Sequence, residues 1–152
     1  MKAIIAFTIL AGYAIMECLL YGIPKSLSQS WFSIVHKWIF SAIMVVASVL
    51  LFMTLMEILP QLYQCLGFLC CAGGVLIGFA PNLNDEVEHS VHMLGATLLA
   101  LCSQIIVLLL CPHLLLAWIV TLPVIFLCSE CVVFWIEIVG GVLIFLSIFL
   151  SL

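Results

Sequence analysis

The stretch MLGATLLALCSQIIVLLLC, residues 93–111, contains no charged side chain and decides the fold class of this chain. As a helix it is long enough to cross the hydrocarbon core of a bilayer, which takes roughly 20 apolar residues. The whole 152-residue chain has the same character, because 68% of its residues are hydrophobic and 7% are charged. A soluble domain carries about 25% charged residues, so this chain has too little polar surface to fold as a globule in water.

Further apolar stretches occupy most of the rest of the chain. Together they predict six spans at about 3–22, 36–59, 62–80, 88–111, 114–129 and 131–151. The fifth span is the shortest and contains Pro123. Backbone polar groups in lipid must be hydrogen-bonded within the protein, and the spans lack the alternation of polar and apolar residues that a barrel requires. The sequence therefore predicts an all-α integral membrane protein, a compact bundle of six transmembrane helices with short loops, as one domain over residues 1–152.

The few charges of the chain limit its partners and predict its orientation. A net charge of −4 with three Lys and Arg residues argues against a nucleic-acid partner, which would require a basic face. We call the membrane face that holds the N-terminus side A. The opposite face, with the loops after the first, third and fifth spans, is side B. Lys25 and Lys37 lie on side B and Lys2 on side A, so the positive-inside rule predicts that side B is cytoplasmic, in the inner membrane of the cell.

The ionisable side chains are distributed unevenly between the two faces. Only Lys2, Glu57 and His113 belong to side A, whereas the other eleven of the fourteen fall on the side-B half. The eight residues from Asp85 to His92 alone hold three of the seven acids and two of the four histidines. Solubility alone would charge both faces alike, so the asymmetry predicts a polar pocket that opens towards side B.

The start of the fourth span carries the candidate metal site. On a helix, Asp85, His89 and His92 share one face at 100° per residue, with Glu88 at its edge, and we call these three the histidine stripe. Carboxylate and imidazole groups at this spacing can hold a zinc or iron ion, with a water molecule completing the shell. The alternative is structural. A preceding asparagine would cap the helix, the acids would suit its dipole, and His92 would hydrogen-bond a carboxylate across the bundle.

Two carboxylates lie inside predicted spans and are the candidate catalytic residues. Glu17 lies near the side-B end of the first span, on the same helix face as Tyr13 and Tyr21, and Glu137 lies near the side-B end of the sixth span. Each carboxylate costs a few kcal/mol in lipid unless it is paired, protonated or hydrated. Both lie at a similar depth to His92, which makes a cluster of the three plausible. Either carboxylate could serve as a general base or could lock helix packing, and both interpretations stay open at this point.

Three short motifs resemble those of known membrane proteins. The segments IPKSLSQSWF (residues 23–32), GFAPNL (residues 78–83) and HMLGA (residues 92–96) resemble a family of small, uncharacterised membrane proteins from bacteria and phages. The resemblance implies a six-span bundle and brings no activity with it. More distantly, the chain looks like six-span proteins of the DRAM-like kind. The ceramidase-like membrane hydrolases bind zinc with histidines and an aspartate, but their His-x₃-His pattern and seventh span differ from the His-x₂-His pattern here.

These observations leave several functions open. The favoured interpretation is a non-catalytic structural or regulatory protein in the lipid bilayer. One alternative is a metal-dependent hydrolase of a lipid amide or ester, with the ion on the histidine stripe and one of the two intramembrane glutamates as base. Another is a proton-coupled transporter of a small molecule or ion, which would need Glu57 on side A. The C-x-x-C pair of Cys128 and Cys131 adds a thiol oxidoreductase as a fourth.

Small residues predict where a second copy of the chain could pack. Gly74 and Gly78 form a small-x-x-x-small pattern, and Gly140 and Gly141 are adjacent in the sixth span. Such positions let helix backbones approach closely in lipid. The sequence therefore allows a homo-oligomer through either pair, although packing within one bundle would also explain them.

Overall fold

The computed structural model of the chain describes residues 1–27 and 37–152, and it leaves out the side chains of Lys37 and Asp85. The second half of the motif at residues 23–32, the predicted start of the second span at His36 and the Asp85 side chain therefore lie outside the described part. Within that part every regular element is helical, as the sequence predicts. The α-helices are α1 (Lys2–Tyr21), α2 (Lys37–Ile58), α3 (Gln64–Phe79), α4 (Asp85–Leu110), α5 (Ala117–Cys128) and α6 (Val132–Ser151).

Short 3₁₀ turns join several of these helices. They cover Gln61–Tyr63, Ala80–Asn82 and Pro112–Leu116. The helices begin and end within a few residues of the predicted spans. The fourth helix starts earlier than its span because the acids of its first turn are helical but too polar for the hydrocarbon core. Gly22 ends α1 with a φ of 81°, a conformation that glycine adopts without steric cost.

Five helical segments of the described chain are long and apolar enough to cross a membrane. They are Lys2–Tyr21, Trp38–Ile58, Gln61–Asn82, Glu86–Leu110 and Val132–Ser151. The sixth, α5, has 12 residues and contains Pro123. At a rise of 1.5 Å per residue it reaches about 18 Å, which is less than the roughly 30 Å hydrocarbon core, and the preceding 3₁₀ turn extends it.

The outer surface of the bundle is apolar, as expected of a protein surrounded by lipid. Leu19 and Leu127 are 80% and 85% exposed, and Ile119 and Val120 on α5 are also open. In water this surface would be a severe aggregation hazard. Exposure of the same surface to lipid costs no free energy, because acyl chains are as apolar as leucine.

Close helix contacts at glycines hold the centre of the bundle together. A Cβ atom on Gly73 would lie 2.6 Å from the carbonyl oxygen of Gly95, so α3 and α4 touch backbone to backbone. Gly74 and Gly78 face α2, where a Cβ atom would lie 2.3 Å from the Ser48 Oγ and 2.9 Å from the Met44 Cβ. This glycine pair is therefore filled by α2 of the same chain.

The buried side chains form two clusters. The larger lies in the side-A half and includes Leu55, Ile106 and Ile148. The smaller lies nearer side B and consists of Tyr13, Phe40 and Ile77, with Leu27, Ile43, Met44, Ala96 and Leu99 packed against it. The side-B cluster brings α1, α2, α3 and α4 together directly beneath the polar residues of that face.

Candidate functional site

The Glu137 carboxylate holds the segment that follows α1. The Ser26 hydroxyl lies 3.0 Å from each carboxylate oxygen, and the Leu27 backbone N–H donates to one of them across 2.6 Å. We call the contact of Ser26, Leu27 and Glu137 the side-B clasp. It is reinforced by a backbone hydrogen bond of 3.1 Å from the Phe134 N–H to the Lys25 carbonyl. The clasp ties residues 25–27 to the first turns of α6.

This arrangement explains why an acid is present inside α6. A polar group inside a membrane span is costly unless it is hydrogen-bonded. Ser26 is buried and Leu27 is half-buried, so the donors that Glu137 satisfies are shielded from water. The structure thus shows an anchoring contact at Glu137, and its role as a general base stays a prediction.

His92 lies inside the bundle, one turn below the polar start of α4. Its side chain is 8% exposed, whereas His89 one turn earlier is exposed and Glu88 is half-buried. The charges that act on His92 in the described part belong to Glu137, Glu88 and His89. The structure therefore brings His92 near Glu137, through the contact of α4 with α6.

Glu17 has different surroundings from Glu137. Its side chain is only 1% exposed, and its Oε1 atom has no hydrogen-bond partner among the described residues. It is not among the groups whose charge acts on His92. Of the three residues that depth suggested as a cluster, His92 and Glu137 interact, and no interaction of Glu17 with His92 is found among the described residues.

The predicted metal site depends on a side chain outside the described part. His89 and His92 lie on successive turns of α4, as predicted, but the third member of the histidine stripe is Asp85. Among the side chains that the structure describes, no three His, Cys, Asp or Glu residues come together to hold an ion. Zinc or iron binding on the stripe stays a prediction.

The turn before α4 is fastened to a neighbouring helix. Of the two asparagines shortly before α4, Asn84 occupies the N-cap position, but its side chain makes no capping hydrogen bond. The other, Asn82, donates from Nδ2 to the Ser41 Oγ across 2.8 Å and so joins the turn to α2. The polar residues of this turn thus serve contacts between helices as well as helix initiation.

A polar contact in the side-A part of the membrane was missed by the sequence analysis. The Trp118 Nε1 donates to the Gln104 Oε1 across 2.8 Å, which attaches α5 to α4. The signal was present in the sequence, since Gln104 is an amide in the middle of an otherwise apolar run. Also on side A, Lys2 on α1 forms an ion pair with Glu57 on α2.

An apolar groove runs between α2 and α3, away from the polar cluster. It encloses about 410 Å³ and its walls include Phe52, Phe68 and Val75. Its lining suits an acyl chain rather than a polar substrate.

Compared with protein-family models, with curated proteins and with solved structures, the chain matches none. Function must therefore be argued from these contacts alone.

Proposed function

We propose that this chain is a non-catalytic structural or regulatory protein of the membrane. The observation that carries the proposal is the side-B clasp. Glu137 is the candidate base that lies near His92, and both of its carboxylate oxygens are engaged by the segment after α1. A residue used in this way supports the fold of the bundle.

Other polar groups in the described part serve the same purpose. Asn82 joins Ser41 on α2, and Gln104 joins Trp118 at the other side. Lipid provides no hydrophobic force between helices, so close packing and hydrogen bonds between helices determine their arrangement. Each such bond contributes about 0.6–2 kcal/mol in membranes, which is enough to explain why so apolar a chain keeps these side chains.

The location and partners of the protein are part of the proposal. Several apolar helices show that the chain is compatible with a membrane. We place it in the inner membrane with side B in the cytoplasm, on the basis of Lys25 and Lys37 against Lys2. A second copy of the chain would pack at Gly141 rather than at Gly74 and Gly78. Among the described residues, a Cβ atom on Gly141 would meet nothing within 4 Å, whereas one on Gly140 would lie 3.6 Å from the Gln104 Nε2, and the pair Gly74 and Gly78 is filled by α2.

The test measures metal content and thermal stability together. Protein purified in detergent would be compared as wild type and as His92→Ala, with His113→Ala as the matched control because His113 is exposed on side A. We expect no stoichiometric zinc or iron in any of the three. We also expect His92→Ala to lower the free energy of unfolding by about 2 kcal/mol, because it empties a buried position, and His113→Ala to leave it unchanged.

Two other results would contradict the proposal and select an alternative. Stoichiometric zinc or iron that is lost in His92→Ala and kept in His113→Ala would favour the lipid hydrolase. Proton-coupled flux in vesicles that disappears in Glu57→Gln would favour the transporter. Glu57 needs no transport role to explain its presence, since Lys2 already pairs with it.

A further inference from the structure

Glu17 is a buried acid that takes part in none of the contacts between helices described above. Its side chain is covered by the protein itself, with 1% of its surface exposed. Its Oε1 atom receives no hydrogen bond in the described part of the chain. The sequence places Glu137 at a similar distance from the side-B end of its helix, yet Glu137 accepts hydrogen bonds from a hydroxyl and a backbone N–H. The two acids therefore need different explanations.

Among the described residues, the groups next to Glu17 on α1 offer no positive charge to balance an ionised carboxylate. On α1, Tyr13 lies one turn towards side A and packs against Phe40, with ring centroids 5.8 Å apart, while Tyr21 lies one turn towards side B and is exposed. Cys18 is the next residue of α1 and is half-buried. A thiol and a phenol carry no positive charge in either protonation state, so these side chains cannot serve as counter-ions.

The described charged groups of neighbouring elements either take part in other interactions or are exposed. On α6, Glu137 belongs to the side-B clasp, and on α4, His92 is influenced by Glu137, Glu88 and His89. In the segment after α1, Lys25 is exposed. At the start of α2, His36 and the Lys37 side chain lie outside the described residues. No charge from the described residues acts on Glu17.

A buried carboxyl group without a counter-ion avoids the cost of charge by binding a proton. A metal ion is a poorer candidate, because calcium or zinc requires several ligands and no three suitable side chains come together in the described part. A proton requires a single oxygen, which Glu17 has available. We propose that Glu17 is a proton-binding site that carries its proton at neutral pH. Loss of this proton would place an isolated charge within the side-B half of α1.

Infrared spectroscopy tests this directly, because a protonated carboxyl and a carboxylate have separate stretching bands. The protein would be reconstituted in phosphatidylcholine vesicles with glutamate labelled with ¹³C at the side-chain carboxyl. We expect a protonated-carboxyl band at neutral pH that shifts with the label, disappears in Glu17→Gln and remains in Glu137→Gln. Wild type without such a band, or a band that persists in Glu17→Gln, would overturn the proposal.

A second variant keeps the test decisive if Glu17→Gln does not fold. In Glu17→Asp the acid is retained, so the protonated band should persist but should no longer shift with the glutamate label. A shift that remains in Glu17→Asp would assign the proton to another glutamate and would overturn the proposal. The outcome is independent of the proposed structural role, since that role rests on the side-B clasp and is tested by metal content and unfolding.

Discussion

The two glutamates inside the apolar helices, Glu17 on α1 and Glu137 on α6, have the same chemistry and opposite surroundings. Glu137 accepts hydrogen bonds from Ser26 and from the Leu27 backbone, and these contacts hold a connecting segment to α6. Glu17 is more deeply buried than Glu137, and its Oε1 atom has no hydrogen-bond partner among the described residues. The difference teaches that an acid in a span is explained by its partners and not by its depth.

The same substitution at both positions is the strongest way to test this comparison. Glu137→Leu should lower the free energy of unfolding by about 3 kcal/mol, because it removes the carboxyl acceptor and leaves the Leu27 N–H and the Ser26 hydroxyl without it. Glu17→Leu should change it by less than about 1 kcal/mol, or even raise it, because a buried carboxyl group whose Oε1 atom has no described partner is replaced by an apolar side chain. Denaturation of both variants in mixed micelles provides the measurement.

Two results of that experiment would break the contrast. Equal losses at the two positions would mean that Glu17 also stabilises the fold through contacts. A negligible loss in Glu137→Leu would mean that the side-B clasp contributes little. Glu130→Leu is the matched control on the same face, because Glu130 is exposed in the turn between α5 and α6.

A smaller effect is expected when the Ser26 hydroxyl is removed from the side-B clasp. Ser26→Ala removes the hydroxyl and keeps the Leu27 N–H, so the free energy of unfolding should fall by about 1 kcal/mol. The control is Ser90→Ala on α4, where the serine is exposed. If both serine variants lost the same stability, the hydroxyl would have no special role at Glu137.

Combining Ser26→Ala with Glu137→Leu should lower the free energy of unfolding by no more than the larger single change plus a few tenths of a kcal/mol, because both variants break the same contact.

The smallest change in the free energy of unfolding is expected on side A, where Glu57 forms an exposed ion pair with Lys2. Glu57→Gln removes the ion pair with Lys2, whose two side chains are 36% and 59% exposed. Exposed ion pairs contribute about 0.2–1 kcal/mol, so the loss should lie near the lower end and should shrink further at high salt. Unfolding measured at low and high salt checks both statements. A loss as large as that of Glu137→Leu would remove the distinction between the two faces.

Several features of the site were predictable because they are local. The first turn of α4, the N-cap position of Asn84 and the successive turns occupied by His89 and His92 all follow from helical spacing. Other features were not, because they join residues far apart in the chain. Ser26 and Glu137 are separated by 111 positions, and nothing in either segment specifies the other as its partner. Likewise, the Gly74 and Gly78 pattern shows that a helix can approach closely, but only the packing reveals that the helix is α2.

The amino-acid sequence by itself determined that this protein is a bundle of apolar helices. That conclusion needs only the length of each uncharged run and the requirement that backbone groups in lipid be hydrogen-bonded locally. Only the tertiary structure decided what the polar residues do. Helix packing in lipid depends on which surfaces fit each other, so it alone supplied Glu137 with donors, placed His92 near it and left the Glu17 Oε1 without a described partner.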